Sequence, residues 1–221
     1  GCRMYHLNAA VSDPGLHCPH ASASGGNVCT NCNGYCAKFS ADPAGICSGK
    51  TTHGYYKDDN DCRDICETYF PFDASTTGAA ANGFDTLQCR EYHASVATDA
   101  ALATTHCPHA SPFDANGICA DACQFYCDVV QTNCAGSEAI YADKAECRKY
   151  CAGNSAAANG ATSLFPSTGT RFATAADNKN SIECRTYHAL VAKSAPSVHC
   201  PHANFDGGEG VCGTFCDYYC E

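Results

Sequence analysis

The sequence predicts a mostly α-helical protein, built from small disulfide-rich modules in tandem repeat with long irregular spacers. Three observations predict it. One pattern occurs three times, as CRMYH…HCPHA from Cys2 to Ala21, CREYH…HCPHA from Cys89 to Ala110 and CRTYH…HCPHA from Cys184 to Ala203. Cysteine supplies 21 of 221 residues, a density that marks a disulfide scaffold. Cysteines recur at helical spacing, as in Cys123-x3-Cys127 and Cys147-x3-Cys151, which places each pair on one helix face.

The repeats divide the chain into module 1 (1–88), module 2 (89–183) and a partial module 3 (184–221). Each module opens with a helix. Asp85-x-x-Gln88 and Asn180-x-x-Glu183 read as capping boxes ahead of CRxYH. On that helix Cys2 and His6, Cys89 and His93, and Cys184 and His188 are each four apart and share a face. Pro14 and Pro196 mark its end, and HCPHA reads as a loop stiffened by Pro19, Pro108 and Pro201. A second helix carries Cys119, Cys123 and Cys127, with Cys212, Cys216 and Cys220 at the same spacing and Cys29, Cys32 and Cys36 close to it. A third begins near Ser137-Glu138, carries Cys147 and Cys151 (Cys62 and Cys66 in module 1), and takes Gly153 as C-cap.

Two helices that each bear Cys-x3-Cys resemble the α-hairpin stapled by two bridges. That resemblance implies Cys123–Cys151 with Cys127–Cys147, and Cys32–Cys66 with Cys36–Cys62. Each bridge would contribute about 2–4 kcal/mol. The spacers are polar and small-residue-rich, yet Pro71 to Cys89 and Pro166 to Cys184 are both 18 positions, each headed by Phe-Pro. A free linker need not keep its length, so the spacers are expected to pack along the modules, and the modules to stack in fixed order.

Composition excludes several function classes. A net charge of −10 argues against nucleic acid. No apolar run reaches the ~18 residues of a membrane span. Only Cys29-x2-Cys32 has knuckle spacing, so zinc knuckles rank low. So many cysteines point to an oxidising, extracellular or cell-surface setting. No signal peptide is present, which reads as a mature or excised chain.

Nine of the ten histidines lie in the repeated pattern. Three roles stand open for them, beside a purely structural one in which a Tyr-His pair hydrogen-bonds the HCPHA segment. CRxYH resembles the c-type haem attachment motif CxxCH, with Tyr in place of the second Cys. The resemblance implies haem c held by Cys2, His6, Cys18 and His20, by Cys89, His93, Cys107 and His109, and by Cys184, His188, Cys200 and His202. In that arithmetic six cysteines of module 2 remain, enough for the hairpin bridges and Cys119–Cys134; a Cys89–Cys107 disulfide leaves the same six. The second role is a copper or zinc site of three imidazoles per module: His6, His17 and His20; His93, His106 and His109; His188, His199 and His202. The third, a Cys-His nucleophile, needs a free thiolate and is set lowest, so the chain is not expected to be an enzyme.

The expected function is an extracellular repeat protein with one His-ligated cofactor per module, suited to electron transfer along a filament. The alternative is a structural fibre or surface-layer subunit. The repeats resemble secreted cysteine-rich repeat proteins of bacteria. Module 3 has no third helix to close its hairpin, which leaves Cys212, Cys216 and Cys220 unpaired and an apolar face at Val211, Phe215 and Tyr219 uncovered. End-to-end self-association, module 3 on the next chain's module 1, follows as an expectation.

Overall fold

The computed structural model describes residues 2–21, 32–40, 44–48, 56–73, 85–112, 117–153, 163–166, 180–214 and 216. Cys29, Cys220, Phe215, Tyr219, the side chain of Cys2 and most of both spacers, with the expectations that rest on them, lie outside the described residues. Among the described residues the regular structure is helical: α1 (Cys2–Ala9), α2 (Pro14–Ala21), α3 (Cys32–Ala37), α4 (Asp59–Tyr69), α5 (Leu87–Val96), α6 (Ala100–Ala110), α7 (Ala122–Asn133), α8 (Lys144–Ala152), α9 (Ile182–Val191) and α10 (Pro196–Ala203). The predicted fold class is the observed one. None of these helices is long and apolar enough to cross a membrane.

The stapled hairpins form as the resemblance implied. Cys32–Cys66 and Cys36–Cys62 join α3 to α4, and Cys123–Cys151 and Cys127–Cys147 join α7 to α8. All eight sulfur-bearing residues are buried, so the bridges are the hairpin core. Good caps set the helix starts: the carboxylates of Asp58, Asp121 and Asp143 accept backbone N–H groups of the first turns of α4, α7 and α8. Gly153 ends α8 with φ +57°, as a C-cap glycine should.

Three details differ from the sequence reading. HCPHA is the last turn of a helix, not a loop. Asp99 caps α6 at Ala101 and Leu102, Pro196 opens α10, and the inner proline falls where α6 and α10 still have a preceding turn to bend against. The caps of α5 and α9 lie one residue later than the boxes suggested, at Thr86 and Ser181, whose hydroxyls accept from the N–H of Cys89 and Cys184. Cys119 and Cys212 precede the helix or lie in a turn rather than on the stripe of Cys123 and Cys127.

The cysteine pairing outside the hairpins also differs. Cys107 is bonded to Cys47, and Cys200 to Cys134, so neither Cys89–Cys107 nor Cys119–Cys134 forms. Cys184 is bonded to Cys212. In the second and third copies the HCPHA cysteine therefore ties the His-bearing helix pair to the hairpin that precedes it in sequence, whereas Cys18 of the first copy is a free thiol. The chain accordingly clusters into two compact units, 1–51 with 56–111 and 52–55 with 112–221. Each runs past the repeat boundary and ends its hairpin with the next CRxYH…HCPHA pair.

Both units use the same lock. In the first, Tyr35 donates its hydroxyl to the carbonyl of Ala110 at 2.6 Å; in the second, Tyr126 donates to Ala203 at 2.5 Å. Phe70-Pro71 and Phe165-Pro166 give the spacers their packed heads. The Leu87 N–H donates to the Pro71 carbonyl and the Ile182 N–H to the Pro166 carbonyl. The two phenylalanine rings are buried and take an arginine each. The guanidinium carbon of Arg90 sits 4.1 Å from the centre of Phe70, and that of Arg185 4.1 Å from Phe165.

Candidate metal centres

The arginine, tyrosine and histidine of CRxYH prove to have separate duties. Arg90 and Arg185 are fully buried. Arg185 donates to the carbonyls of Ser181, Asn204 and Phe205, so it ties the start of α9 to the chain leaving α10. Arg90 pairs with Asp85 at 2.7 Å. Arg185 thus holds the two helices of its pair in register, while Arg90 braces the start of α5; the sequence reading gave the arginines no role, although their invariance across three copies was visible. The tyrosines stand edge-on to the following histidine, with ring centres 5.1 Å apart for Tyr5 and His6 and 5.2 Å for the pairs Tyr92–His93 and Tyr187–His188.

The histidines converge. α1 brings His6 to His17 and His20 of α2; α5 brings His93 to His106 and His109 of α6; α9 brings His188 to His199 and His202 of α10. Three residues from His to His on the second helix put both rings on the face toward the first. The Nδ1 atoms of the first two histidines approach to 2.8 Å for His6 and His17, 3.0 Å for His93 and His106, and 3.1 Å for His188 and His199. The ring of the third stands across them, 4.7, 5.1 and 4.8 Å from the first. In the first and third clusters one ring nitrogen from each histidine lies within 4.8 Å of the others. All nine histidines named as metal ligands are thus gathered, three to a cluster.

The electrostatics favour neutral imidazole. Burial, reinforced by His202 and His199, pushes His188 down to about 4. Burial and then His20 and His17 lower His6, and burial and His199 lower His202. A neutral imidazole is the form that binds a metal ion. Two buried nitrogens, Nδ1 of His20 and Nδ1 of His202, have no hydrogen-bond partner. Behind the third cluster the loop after α10 closes tightly: Gly208 has φ +58°, and a Cβ there would lie 2.7 Å from the His202 Cα.

The cysteines named with these histidines do not join them as ligands. Cys107, Cys184 and Cys200 are in the disulfides above, and Cys89 is disulfide-bonded as well. Their sulfurs have no bond left for a haem thioether, which corrects the haem c attachment in modules 2 and 3. Cys18 keeps a free, exposed thiol. Sulfurs of Cys184 and Cys212 lie within 4.8 Å of a His188 ring nitrogen, but bonded to each other they are not thiolate ligands.

Residues 114–216 match the family model of the BfoA family C-terminal domain. The match covers a little under half of the chain. It spans α7 to α10, the bridges Cys123–Cys151, Cys127–Cys147, Cys134–Cys200 and Cys184–Cys212, and the third histidine cluster. The BfoA-like stretch is therefore close to the second compact unit, hairpin plus His-bearing pair, rather than to a repeat module as counted from CRxYH. Neither the curated proteins nor the solved structures give a match.

Proposed function

We propose that each CRxYH…HCPHA helix pair binds one copper or zinc ion through its three histidines, and that the stapled hairpins are the frame that holds these sites on one chain. The observation that carries the reading is the pair of buried, unpartnered Nδ1 atoms of His20 and His202, each facing two further imidazoles. Leaving a buried polar nitrogen unpaired costs about 1–3 kcal/mol, a cost that a bound cation removes. The contacts of 2.8–3.1 Å between the other two Nδ1 atoms also suit a metal. With metal–nitrogen bonds of ~2.0–2.1 Å, adjacent ligand nitrogens stand roughly 2.9–3.4 Å apart. Three imidazoles without carboxylate or thiolate suit zinc or copper rather than calcium or magnesium.

Binding, not catalysis, is the proposed activity. Copper at three sites would make the chain an electron carrier; zinc would make it a structural array. Bridges throughout both units fit an extracellular or cell-surface setting. Equilibrium dialysis of the full chain against Zn(II) and Cu(II), followed by elemental analysis, tests the reading. Up to three ions per chain are expected, and His188→Ala should remove one of them. Metal content that stays unchanged in His188→Ala would instead support the structural reading, in which the imidazoles only hydrogen-bond one another.

A further inference from the structure

The loop that follows α10 holds a glutamate where its backbone calls for glycine. Residues 207–210 read Gly-Gly-Glu-Gly, and all four have positive φ: +72° at Gly207, +58° at Gly208, +59° at Glu209 and +93° at Gly210. Glycine enters that region freely, whereas a residue with a Cβ rarely does. Among the described residues Glu209 is the one non-glycine with a positive φ. Strain of this kind persists only where the surroundings impose it, and it gathers at binding sites.

The loop is fixed on both sides of Glu209 and is laid on the third histidine cluster. Before Glu209, Arg185 donates to the Phe205 carbonyl, and the Asp206 carboxylate accepts from the Gly208 N–H at 3.2 Å. Gly208 is pressed on the last turn of α10: a Cβ there would stand 2.7 Å from the His202 Cα and 2.8 Å from Cδ2 of its ring. After Glu209, the Cys212 N–H donates to the Gly207 carbonyl at 2.8 Å, and Cys212 is bonded to Cys184, one turn before His188 on α9. Glu209 therefore follows directly on the residue that touches His202. It is exposed, and its charge reaches the cluster: burial and then His199 lower His202, and the Glu209 carboxylate opposes them. Neither other copy has a carboxylate at this place. Counted back from the cysteine that follows, Glu209 corresponds to Asn116 in the second copy and Gly26 in the first.

We infer that Glu209 is the fourth ligand of the third site, so that the ion there is zinc held by His188, His199, His202 and one carboxylate oxygen. The inference rests on the three-histidine reading above. Ring nitrogens of the three histidines gather within 4.8 Å of one another and leave the fourth position of a tetrahedral ion to a further donor. Glu209 supplies that donor by turning its exposed side chain, from a backbone already lodged against His202. The carboxylate adds a negative charge to a set of neutral imidazoles and so strengthens the hold on a divalent cation. Four protein ligands leave no open position, which is the form of a structural zinc site rather than a catalytic one. The glutamate thereby sets the third site apart from the other two.

The test uses the full, non-reduced chain with His6→Ala and His93→Ala, which leaves the third site alone to bind. Zn(II) affinity is read by competition with a chromogenic chelator. Glu209→Gln keeps the length of the side chain and removes its charge; it should weaken zinc binding by about tenfold or more. Glu209→Gly suits the backbone at φ +59°, so in EDTA it should melt no lower than its parent while binding zinc as weakly as Glu209→Gln. An affinity that Glu209→Gln changes by less than about twofold overturns the inference and leaves the three-histidine reading standing. Zinc binding that His188→Ala leaves unchanged overturns both. A Glu209→Gly chain that melts lower in EDTA overturns the inference as well, because the glutamate would then serve the loop and not the ion.

Discussion

Replacing Arg185 by lysine tests how the His-bearing pair is held together. Arg185 is fully buried, lies 4.1 Å from the centre of the Phe165 ring, and donates from three nitrogens to Asn204 at 3.1 Å, Ser181 at 3.2 Å and Phe205 at 2.8 Å. Lysine keeps the charge but has no planar fork, and its single nitrogen cannot occupy three positions at once. At least two of the charged hydrogen bonds are lost, at about 1.5–3 kcal/mol each, with part of the loss recovered by relaxation. The ring contact weakens as well, by up to about 1–2 kcal/mol. A net destabilisation of about 3–5 kcal/mol is expected for α9 with α10. Native-state hydrogen exchange reads it locally: amides of α9 and α10 should exchange faster, while those of α8 keep their protection. If Arg185→Lys changes α9 and α10 protection by less than ~0.5 kcal/mol, the arginine is not the clamp described here.

Other consequences follow from the same contacts. Tyr126→Phe removes the hydroxyl that donates to the buried Ala203 carbonyl and bonds the Tyr141 hydroxyl, and should destabilise the second unit by about 1–3 kcal/mol in thermal unfolding. Cys134→Ser with Cys200→Ser opens a bridge between residues 66 apart, which chain entropy values at about 4 kcal/mol. The melting temperature should fall, and an unchanged one would mean that α10 is held against α7 without help from the bridge. Metal-free protein should lose stability as pH falls from 6.5 toward 4. Over that range His188 takes up a proton in the unfolded chain but not in the folded one, so protons favour unfolding. A melting temperature flat across that window, in EDTA, would contradict the burial of His188.

Local features were legible in the sequence because they depend on spacing within one element. Cys-x3-Cys on two helices gave both hairpins, and the equal counts from Pro71 to Cys89 and Pro166 to Cys184 announced spacers with fixed heads. His6, His17 and His20 and their counterparts were legible as sets because imidazoles recur where a core would need only volume. Partners distant in sequence were not. Cys47 and Cys134 belong by count to the module before Cys107 and Cys200, so a module taken as self-contained paired them wrongly. HCPHA looked like a loop because proline inside it suggests a break, yet Pro108 and Pro201 follow enough helix that only one N–H is lost. Arg90 and Arg185 were given no role, because the rings they stack on, Phe70 and Phe165, lie some twenty residues upstream.

The claim that the histidines form metal centres is tested most directly by X-ray absorption at the metal edge of protein reconstituted with Zn(II) or Cu(II) and washed free of excess ion. The account predicts a first shell dominated by about three imidazole nitrogens at ~2.0–2.1 Å, lost in step with metal content when His6, His93 and His188 are replaced by alanine. A shell with sulfur at ~2.3 Å, or one made of water oxygens without imidazole, would contradict it.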